Sequence, residues 1–297
     1  MKYKLLVLDV DGTLLNKEKE ISARTLSTLL KIQQMGVRIV LASGRPTFGI
    51  RPIALKLELD KNDGFILSYN GGQIISMQKE ELLFEKRINP EMLAYLEKKA
   101  TESGFDVFTY HQDKIYTNNP FNEYITREAH INRMGVLSFE HLAPHIDFAP
   151  CKFMIAGKRE DHLIKLEQHW KKRLNGVLDV FRSEPYFLEV VPNFIDKANT
   201  LGVLLEKLSV KPEEIMAIGD GVCDFSMIQL AGLGVAMGNA QDSVKACADI
   251  VTTSNDEDGV APAVENNILA EIHPSEIPLD ELNSRARHAL MGNLGIQ

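Results

Sequence analysis

Runs of aliphatic residues near the N-terminus alternate with a stretch of helical periodicity. Segments 4–8 and 37–41 are apolar at most positions, which is typical of strands buried on both faces of a parallel sheet. Between them, Ser22 is placed to cap a helix that ends near Gly36. The pattern predicts a strand–helix–strand unit and, with it, an α/β fold.

The same alternation continues and then returns late in the chain. A helix over 47–57 and a strand over 65–68 follow the first unit. Three further short apolar runs, at 215–218, 233–236 and 250–251, are separated by helical stretches. The pattern therefore predicts one Rossmann-like parallel sheet that is built from both ends of the chain.

The middle of the chain, residues 84–189, has a different pattern and predicts an inserted α/β domain. Its predicted elements are a helix over 90–103, strands over 105–110 and 114–117, a helix over 159–174, and strands over 177–181 and 187–191. We therefore divide the chain into a discontinuous core (1–83 and 190–270), the insert, and a C-terminal extension (271–297). In that extension a linker precedes a short helix over 279–294.

Composition and charge exclude several classes of protein. The 297 residues carry a formal net charge of −8 without a cluster of basic residues, so nucleic acid is not an expected partner. No apolar run approaches the roughly 20 residues needed to span a bilayer, so no membrane association is expected. The three cysteines have no metal-ligand spacing and suit a reducing compartment, so we expect a cytoplasmic protein. No prediction follows for the oligomeric state.

Two acidic turns directly follow predicted strands. Asp9 and Asp11 lie in the sequence Asp-Val-Asp-Gly-Thr after the first strand, and Asp220 and Asp224 lie in the sequence Gly-Asp-Gly-Val-Cys-Asp after the strand over 215–218. The carboxyl ends of parallel strands share one edge of the sheet, where open α/β sheets bind ligands. The second turn alone would be better explained as a helix N-cap, but two such turns at one edge predict a site of hard oxygen ligands that suits Mg²⁺.

Three further residues offer groups that bind phosphate. Ser43 and Gly44 end the second predicted strand just before a helix, where a hydroxyl and main-chain NH groups favour anions. Lys197 precedes another predicted helix and has the charge to balance a phosphate, although a single lysine is more often simply solvated. Together with the acidic turns, these residues predict a phosphate site.

The order and spacing of these motifs resemble those of haloacid dehalogenase (HAD) superfamily phosphatases of the Cof subfamily, which includes the YidA-like sugar phosphatases. The matching segments are residues 9–13, 41–46, 197 and 219–224, with supporting matches at 68–72, 183–189 and 255–260. The resemblance covers roughly residues 1–268. It implies a HAD core with an inserted cap domain, and Mg²⁺-dependent hydrolysis of a small phosphorylated metabolite, with a sugar phosphate as the leading candidate.

The resemblance also implies a role for each catalytic and phosphate-binding residue. Asp9 would be the nucleophile that forms an aspartyl-phosphate, and Asp11 would protonate the leaving alcohol and then activate water. Ser43, Gly44 and Lys197 would hold the phosphate oxygens. With these roles, the protein contributes to catalysis mainly by positioning the phosphoryl group and neutralising its charge.

The implied Mg²⁺ ligands are the Asp9 carboxylate, the Asp11 main-chain carbonyl and Asp220, with Asp224 in support. One position departs from the family pattern. Cys223 stands where these enzymes usually have Asn, so that a weak thiol donor replaces a side-chain amide in the phosphate site.

Two other functions remain open at this stage. A phosphotransferase or phosphomutase would use the same aspartyl-phosphate and pass the group to a second sugar. A non-catalytic phosphometabolite-binding protein is motivated by Cys223 alone.

Overall fold

Residues 1–271, the part of the chain that the computed structural model describes, alternate between strands and helices. The strands are β1 (Leu5–Leu8), β2 (Arg38–Ala42), β3 (Phe65–Ser68), β4 (Gln73–Ser76), β5 (Glu81–Glu85), β6 (Asp106–His111), β7 (Lys114–Thr117), β8 (Gly135–Ser138), β9 (Phe153–Ala156), β10 (Leu178–Glu184), β11 (Phe187–Pro192), β12 (Ile215–Gly219), β13 (Leu233–Ala236) and β14 (Ile250–Val251). The α-helices are α1 (Ala23–Gln34), α2 (Thr47–Lys56), α3 (Leu93–Glu102), α4 (Glu123–Asn132), α5 (Glu160–Arg173), α6 (Lys197–Leu208), α7 (Phe225–Leu230), α8 (Asp242–Lys245) and α9 (Val260–Asn267). Within this part of the chain, no helix combines the length and the apolar character that crossing a membrane requires.

Eight strands form a large sheet in the order β14-β13-β12-β1-β2-β3-β4-β5. The pairings from β14 to β3 are parallel, and β4 and β5 add an antiparallel hairpin at one edge. Leu5 in β1 pairs with Ile215 on one side and Arg38 on the other. Strand β1 therefore lies where the strand order reverses, and the loops after β1, β2 and β12 open at the same edge, the usual ligand position in such sheets.

Apolar side chains of the large sheet are buried on both faces. On one face, Leu5 and Val7 belong to a cluster that includes Leu201 of α6. On the other, Leu6 packs in a cluster with Leu29 of α1. This arrangement confirms the prediction that the continuous aliphatic run is a central parallel strand.

Six strands form a small sheet in the order β10-β11-β9-β6-β7-β8, which is antiparallel except for the β7–β8 pair. One face packs against α3 and α5, where Trp170 is completely buried. The other face carries Phe108, Tyr110 and Met154 and packs against Ile125 of α4. That second face points toward the carboxyl edge of the large sheet, and together the two sheets enclose a cleft.

Several elements differ from the sequence-based expectations. The hairpin β4–β5, helix α4 and strands β8 and β9 have no predicted counterpart. The predicted domain boundaries at 83/84 and 189/190 fall inside β5 and β11. The division into domains stays a prediction, and we now propose changeovers near residues 86 and 193. The predicted C-terminal extension lies outside the described residues, except for residue 271.

Candidate active site

A buried lysine joins two carboxylates at the carboxyl edge of the large sheet. Asp9 follows β1, Lys197 is the first residue of α6, and Asp224 precedes α7. The Lys197 Nζ donates to Asp9 Oδ1 at 2.7 Å and to Asp224 Oδ1 at 2.5 Å. All three residues are at most 7% exposed. Strand β1, helix α6 and the loop after β12 thus meet at one ammonium group.

The charges in this cluster oppose one another. Burial and the negative charge of Asp224 raise the pKa of Asp9, although Lys197 works against the shift. Burial lowers the pKa of Lys197, but the charges of Asp224 and Asp9 outweigh it and raise the pKa overall. Lys197 therefore stays cationic, and a cation fixed at this depth suits the oxygens of a phosphate group.

Asp220 lies beside this cluster and is held by the loop that follows β1. The Thr13 hydroxyl donates to Asp220 Oδ1 at 2.9 Å. Gly12 has φ +84°, and a Cβ atom there would lie 2.4 Å from Asp220 Oδ2. Burial and the charge of Asp224 raise the pKa of Asp220 to about 6. The loop after β1 therefore fixes the position of Asp220, in the loop after β12, through direct contacts.

The arrangement of carboxylates fits a divalent cation. Asp9, Asp220 and Asp224 each present one carboxylate oxygen within 4.8 Å of the others. Asp224 already accepts hydrogen bonds at both oxygens, from Lys197 and from the amides of Asp220 and Gly221. Asp220 accepts one hydrogen bond from Thr13 and only a long one, 3.5 Å, from Asn239. Asp9 and Asp220 would therefore be the better direct ligands, with Asp224 in support. Such hard oxygen donors suit Mg²⁺.

Ser43 and Gly44 form a tight turn after β2. The Arg45 amide donates to Ser43 Oγ at 3.2 Å. The Gly44 amide donates to none of the described residues. A Cβ atom at Gly44 would lie 3.1 Å from the Asn70 side chain, so any larger residue would crowd Asn70. A hydroxyl and a free amide thus face the same cleft as Asp9.

The Asp11 side chain lies in an environment opposite to that of Asp9. Arg45 donates to both Asp11 oxygens, at 2.6 and 2.7 Å, and Lys19 donates at 2.8 Å. Burial favours a higher pKa for Asp11, but the hydrogen bonds and charges of Arg45 and Lys19 lower it. Two acids that are two residues apart therefore have pKa values shifted in opposite directions.

Cys223 lies in the turn before α7, and its side chain is exposed to the cleft. The thiol forms no hydrogen bond with the described residues. Desolvation within the cleft raises the pKa of Cys223 to about 12, with Lys197 opposing the shift and Asp224 adding to it. The thiol is therefore protonated at neutral pH and is a poor nucleophile.

A cavity of about 1370 Å³ lies between the two sheets and brings the predicted residues together. Its lining includes every candidate from the sequence: Asp9, Asp11, Ser43, Gly44, Lys197, Asp220, Cys223 and Asp224. The small sheet contributes further side chains, among them Tyr110, Lys152 and Glu189. The cavity therefore has a charged floor from one sheet and a mixed aromatic and polar roof from the other.

Sequence reasoning gave no role to several residues at this site. Arg45, which holds Asp11, lies inside the matched segment 41–46, whereas Lys19, which also holds Asp11, lies outside the matched segments. Lys152 and Glu189 come from the small sheet. Glu189 lies in a segment that matched the family, whereas no local pattern marks Lys152.

Comparison with known proteins gives consistent results. A family model described as haloacid dehalogenase-like hydrolase matches residues 6–264. The 5-amino-6-(5-phospho-D-ribitylamino)uracil phosphatase YcsE of Bacillus subtilis (strain 168) is 32% identical over 267 residues, covering 90% of this chain and 96% of the relative. A solved haloacid dehalogenase-like hydrolase from Bacteroides thetaiotaomicron superposes with a TM-score of 0.85 at 48% identity, covering 89% of this chain and 99% of the other. A solved HAD subclass IIB sugar phosphatase superposes with a TM-score of 0.75 at 25% identity, covering 89% and 98%.

We predict that Gly12→Ala disrupts metal binding by pushing Asp220 aside. Both the positive φ and the approach to Asp220 exclude a side chain at this position. Calorimetric titration with Mg²⁺ should show at least about tenfold weaker affinity. Gly36→Ala is the matched control, because Gly36 has φ +89° but open space around its Cβ position. Equal metal affinity in the two variants would contradict the close-contact argument.

We also predict that metal affinity falls as the pH is lowered. The pKa of Asp220 is raised to about 6 and that of Asp9 is also raised, so below that pH a proton must leave before the cation binds. Titrations between about pH 8 and about pH 5 should show an affinity loss of up to about tenfold per unit below pH 6.

Thr13→Val provides the matched test of this pH dependence. The Thr13 hydrogen bond lowers the pKa of Asp220, so its removal should move the profile to higher pH. A flat affinity across the range, or an unmoved profile in the variant, would show that Asp220 does not control binding.

Proposed function

This chain belongs to the haloacid dehalogenase-like hydrolase family and is a phosphatase of the Cof type. From that premise, we propose that it hydrolyses a sugar phosphate with the help of Mg²⁺. The observation that carries the proposal is the Asp9–Lys197 pair, 2.7 Å apart at the floor of the cleft. A nucleophilic carboxylate and a fixed cation lie there beside the hydroxyl and amide of the Ser43–Gly44 turn. The likeness to a solved sugar phosphatase supports the substrate class.

The reaction begins with phosphate binding by Lys197, Ser43 and Gly44. An Asp9 carboxylate oxygen then attacks phosphorus, the bond to the leaving alcohol oxygen breaks, and Asp11 supplies the proton that this oxygen takes up. In the second half, Asp11 accepts a proton from water as the water oxygen attacks phosphorus and the bond to Asp9 breaks. Inorganic phosphate and the regenerated Asp9 carboxylate result.

The divalent cation, held by Asp9 and Asp220 and supported by Asp224, would supply charge neutralisation around the phosphoryl group. Asp224 accepts hydrogen bonds from Lys197 and from the Asp220 amide, which supports a role in orienting both. The roles of all these residues are part of the proposal.

Asp11 begins the cycle ionised, because Arg45 and Lys19 lower its pKa. To act as an acid it must take up a proton when substrate binds. The negative charge of an entering phosphate acts in that direction, since like charges raise the pKa of a carboxyl group and compete for the same cations. Arg45 and Lys19 therefore determine how much negative charge the substrate must bring before Asp11 takes up a proton.

Residues 86–192 would act as the cap in this scheme. The small sheet covers the cleft with Tyr110, Lys152 and Glu189, and none of the residues proposed for the chemistry comes from this segment. A cover of this kind excludes water from the aspartyl-phosphate and contacts the leaving group.

A non-catalytic phosphometabolite-binding protein is the second candidate, and Cys223 is the observation that favours it. Its thiol is protonated and lacks the donor strength of an amide. A protein without detectable turnover in which Cys223→Asn restores activity would support this candidate.

A panel of sugar phosphates tests the function directly. With Mg²⁺ present, we expect release of inorganic phosphate from at least one member of the panel. Appearance of the phosphoryl group on a second sugar would instead identify a phosphotransferase or phosphomutase. Binding without either product would identify the non-catalytic protein.

We predict that Asp9→Asn lowers kcat by about three orders of magnitude or more, because an amide retains the shape but lacks the attacking charge. Lys197 keeps its pairing with Asp224, so the variant should still fold. Steady-state phosphate release measures the effect. Asp113→Asn is the control, since it removes an exposed carboxylate that pairs only with Lys114 among the described residues. Retention of more than about a tenth of wild-type kcat would rule out Asp9 as the nucleophile.

A further inference from the structure

One lysine of the small sheet reaches across the cleft to the phosphate-binding turn. Lys152 directly precedes β9, and its Nζ donates to the Gly44 carbonyl oxygen at 2.9 Å. The same Nζ donates to Glu189 Oε2 of β11 at 3.0 Å. Lys152 is 3% exposed and Glu189 is 4% exposed. This contact joins residues that are 108 positions apart in sequence and are next to strands of different sheets, β9 and β2.

The carbonyl that Lys152 holds belongs to the Gly44–Arg45 peptide. A peptide group is planar, so fixing its carbonyl oxygen also fixes its N–H. That N–H, on Arg45, donates to Ser43 Oγ. Since the Ser43 oxygen accepts this hydrogen bond, the Ser43 hydroxyl proton remains available to another acceptor. Lys152 thus fixes the orientation of a group proposed to hold phosphate without contacting that group.

The surrounding contacts reinforce the same turn. The Asn70 amide nitrogen of the main chain donates to the Ser43 carbonyl at 3.0 Å, and the Asn70 side chain donates to Glu189 Oε2 at 3.4 Å. Glu189 therefore contacts both Lys152 and Asn70. Burying an ammonium and a carboxylate costs free energy unless both are well hydrogen bonded, so the pair is weak as a purely stabilising device.

The turn also influences Asp11. The peptide that Lys152 holds leads directly to Arg45, whose guanidinium donates to both Asp11 oxygens. A displacement of this peptide would therefore move a phosphate-binding hydroxyl and a proton-transfer group together. No other contact between the two sheets among the described hydrogen bonds reaches this peptide.

We propose that Lys152 is a positioning residue through which the small sheet orders the phosphate-binding turn at residues 43–45. The inference rests on the proposed function only in taking Ser43 and Gly44 to bind phosphate. It assigns the cap a part in binding the phosphoryl group, separate from contact with the leaving group.

The test compares wild type with the double variant Lys152→Met/Glu189→Gln. Replacing both residues avoids leaving a buried carboxylate without a partner, which the single Lys152→Met change would do. Two readouts are needed. Amide hydrogen exchange over residues 43–46, measured without metal or ligand, should be faster in the variant. Affinity for inorganic phosphate, measured by calorimetry with Mg²⁺, should fall about tenfold.

Lys158→Met is the matched control. Lys158 is also a lysine of the small-sheet segment that pairs with a glutamate, Glu123, but it is 77% exposed and far from the turn in sequence and contacts. Neither readout should change in this variant. The control separates the effect of the contact with Gly44 from the general effect of removing a charge.

A folded double variant with phosphate affinity within about twofold of wild type, and unchanged exchange at the turn, would overturn the proposal. If only discrimination among phosphate esters changed, Lys152 would belong to leaving-group recognition and the proposal would also fail. A wild-type protein that binds phosphate but hydrolyses no ester would refute the proposed function alone, because both readouts on the turn are independent of turnover.

Discussion

The site depends on one buried ammonium group. Lys197 sits among carboxylates from two strand ends, and its hydrogen bonds to Asp9 and Asp224 are the direct link between β1, α6 and the loop after β12. A buried lysine without partners would lose its proton or destabilise the fold. With two carboxylates it stays charged, but Asp220 adds a further acid, so three carboxylates lie around one ammonium group. Burial, with the charge of Asp224 added, raises the pKa values of Asp9 and Asp220. The cluster therefore carries more negative than positive charge, which is the physical reason to propose a cation site here.

Asp9 and Asp11 show how neighbouring acids acquire different chemistry. Asp9 faces other carboxylates, whereas Asp11 faces Arg45 and Lys19, so their pKa values shift in opposite directions. Opposed environments of this kind commonly separate the roles of paired carboxylates in enzymes. The side chain of Asp11 is thereby kept out of the cluster of three acids, as its proposed role in proton transfer requires. A spacing of two residues is enough for the two carboxylates to meet different partners, Lys197 for Asp9 and Arg45 for Asp11.

The sequence was sufficient for the central strands and for the residues that follow them. Continuous aliphatic runs identified β1, and because parallel strands align their carboxyl ends, the loops after β1, β2 and β12 had to converge. The contacts of Lys152 could not be predicted, since they depend on how the small sheet is placed over the large one. The hairpin β4–β5 was missed for a different reason. Its strands are short and partly exposed, so they lack the continuous aliphatic runs that marked the central strands.

The two sheets contribute different parts of the site, and a direct hydrogen bond couples them. The large sheet supplies the charged floor, and the small sheet supplies the cover. Yet the Gly44 carbonyl, on the floor, accepts its hydrogen bond from Lys152 in the cover. Because the peptide that includes this carbonyl also fixes Ser43 and carries the side chain that holds Asp11, an open cleft would leave the phosphate-binding turn less ordered than a closed one. Under the proposed function, closure would then do more than exclude water, since it would complete the arrangement of donors that the phosphoryl group meets.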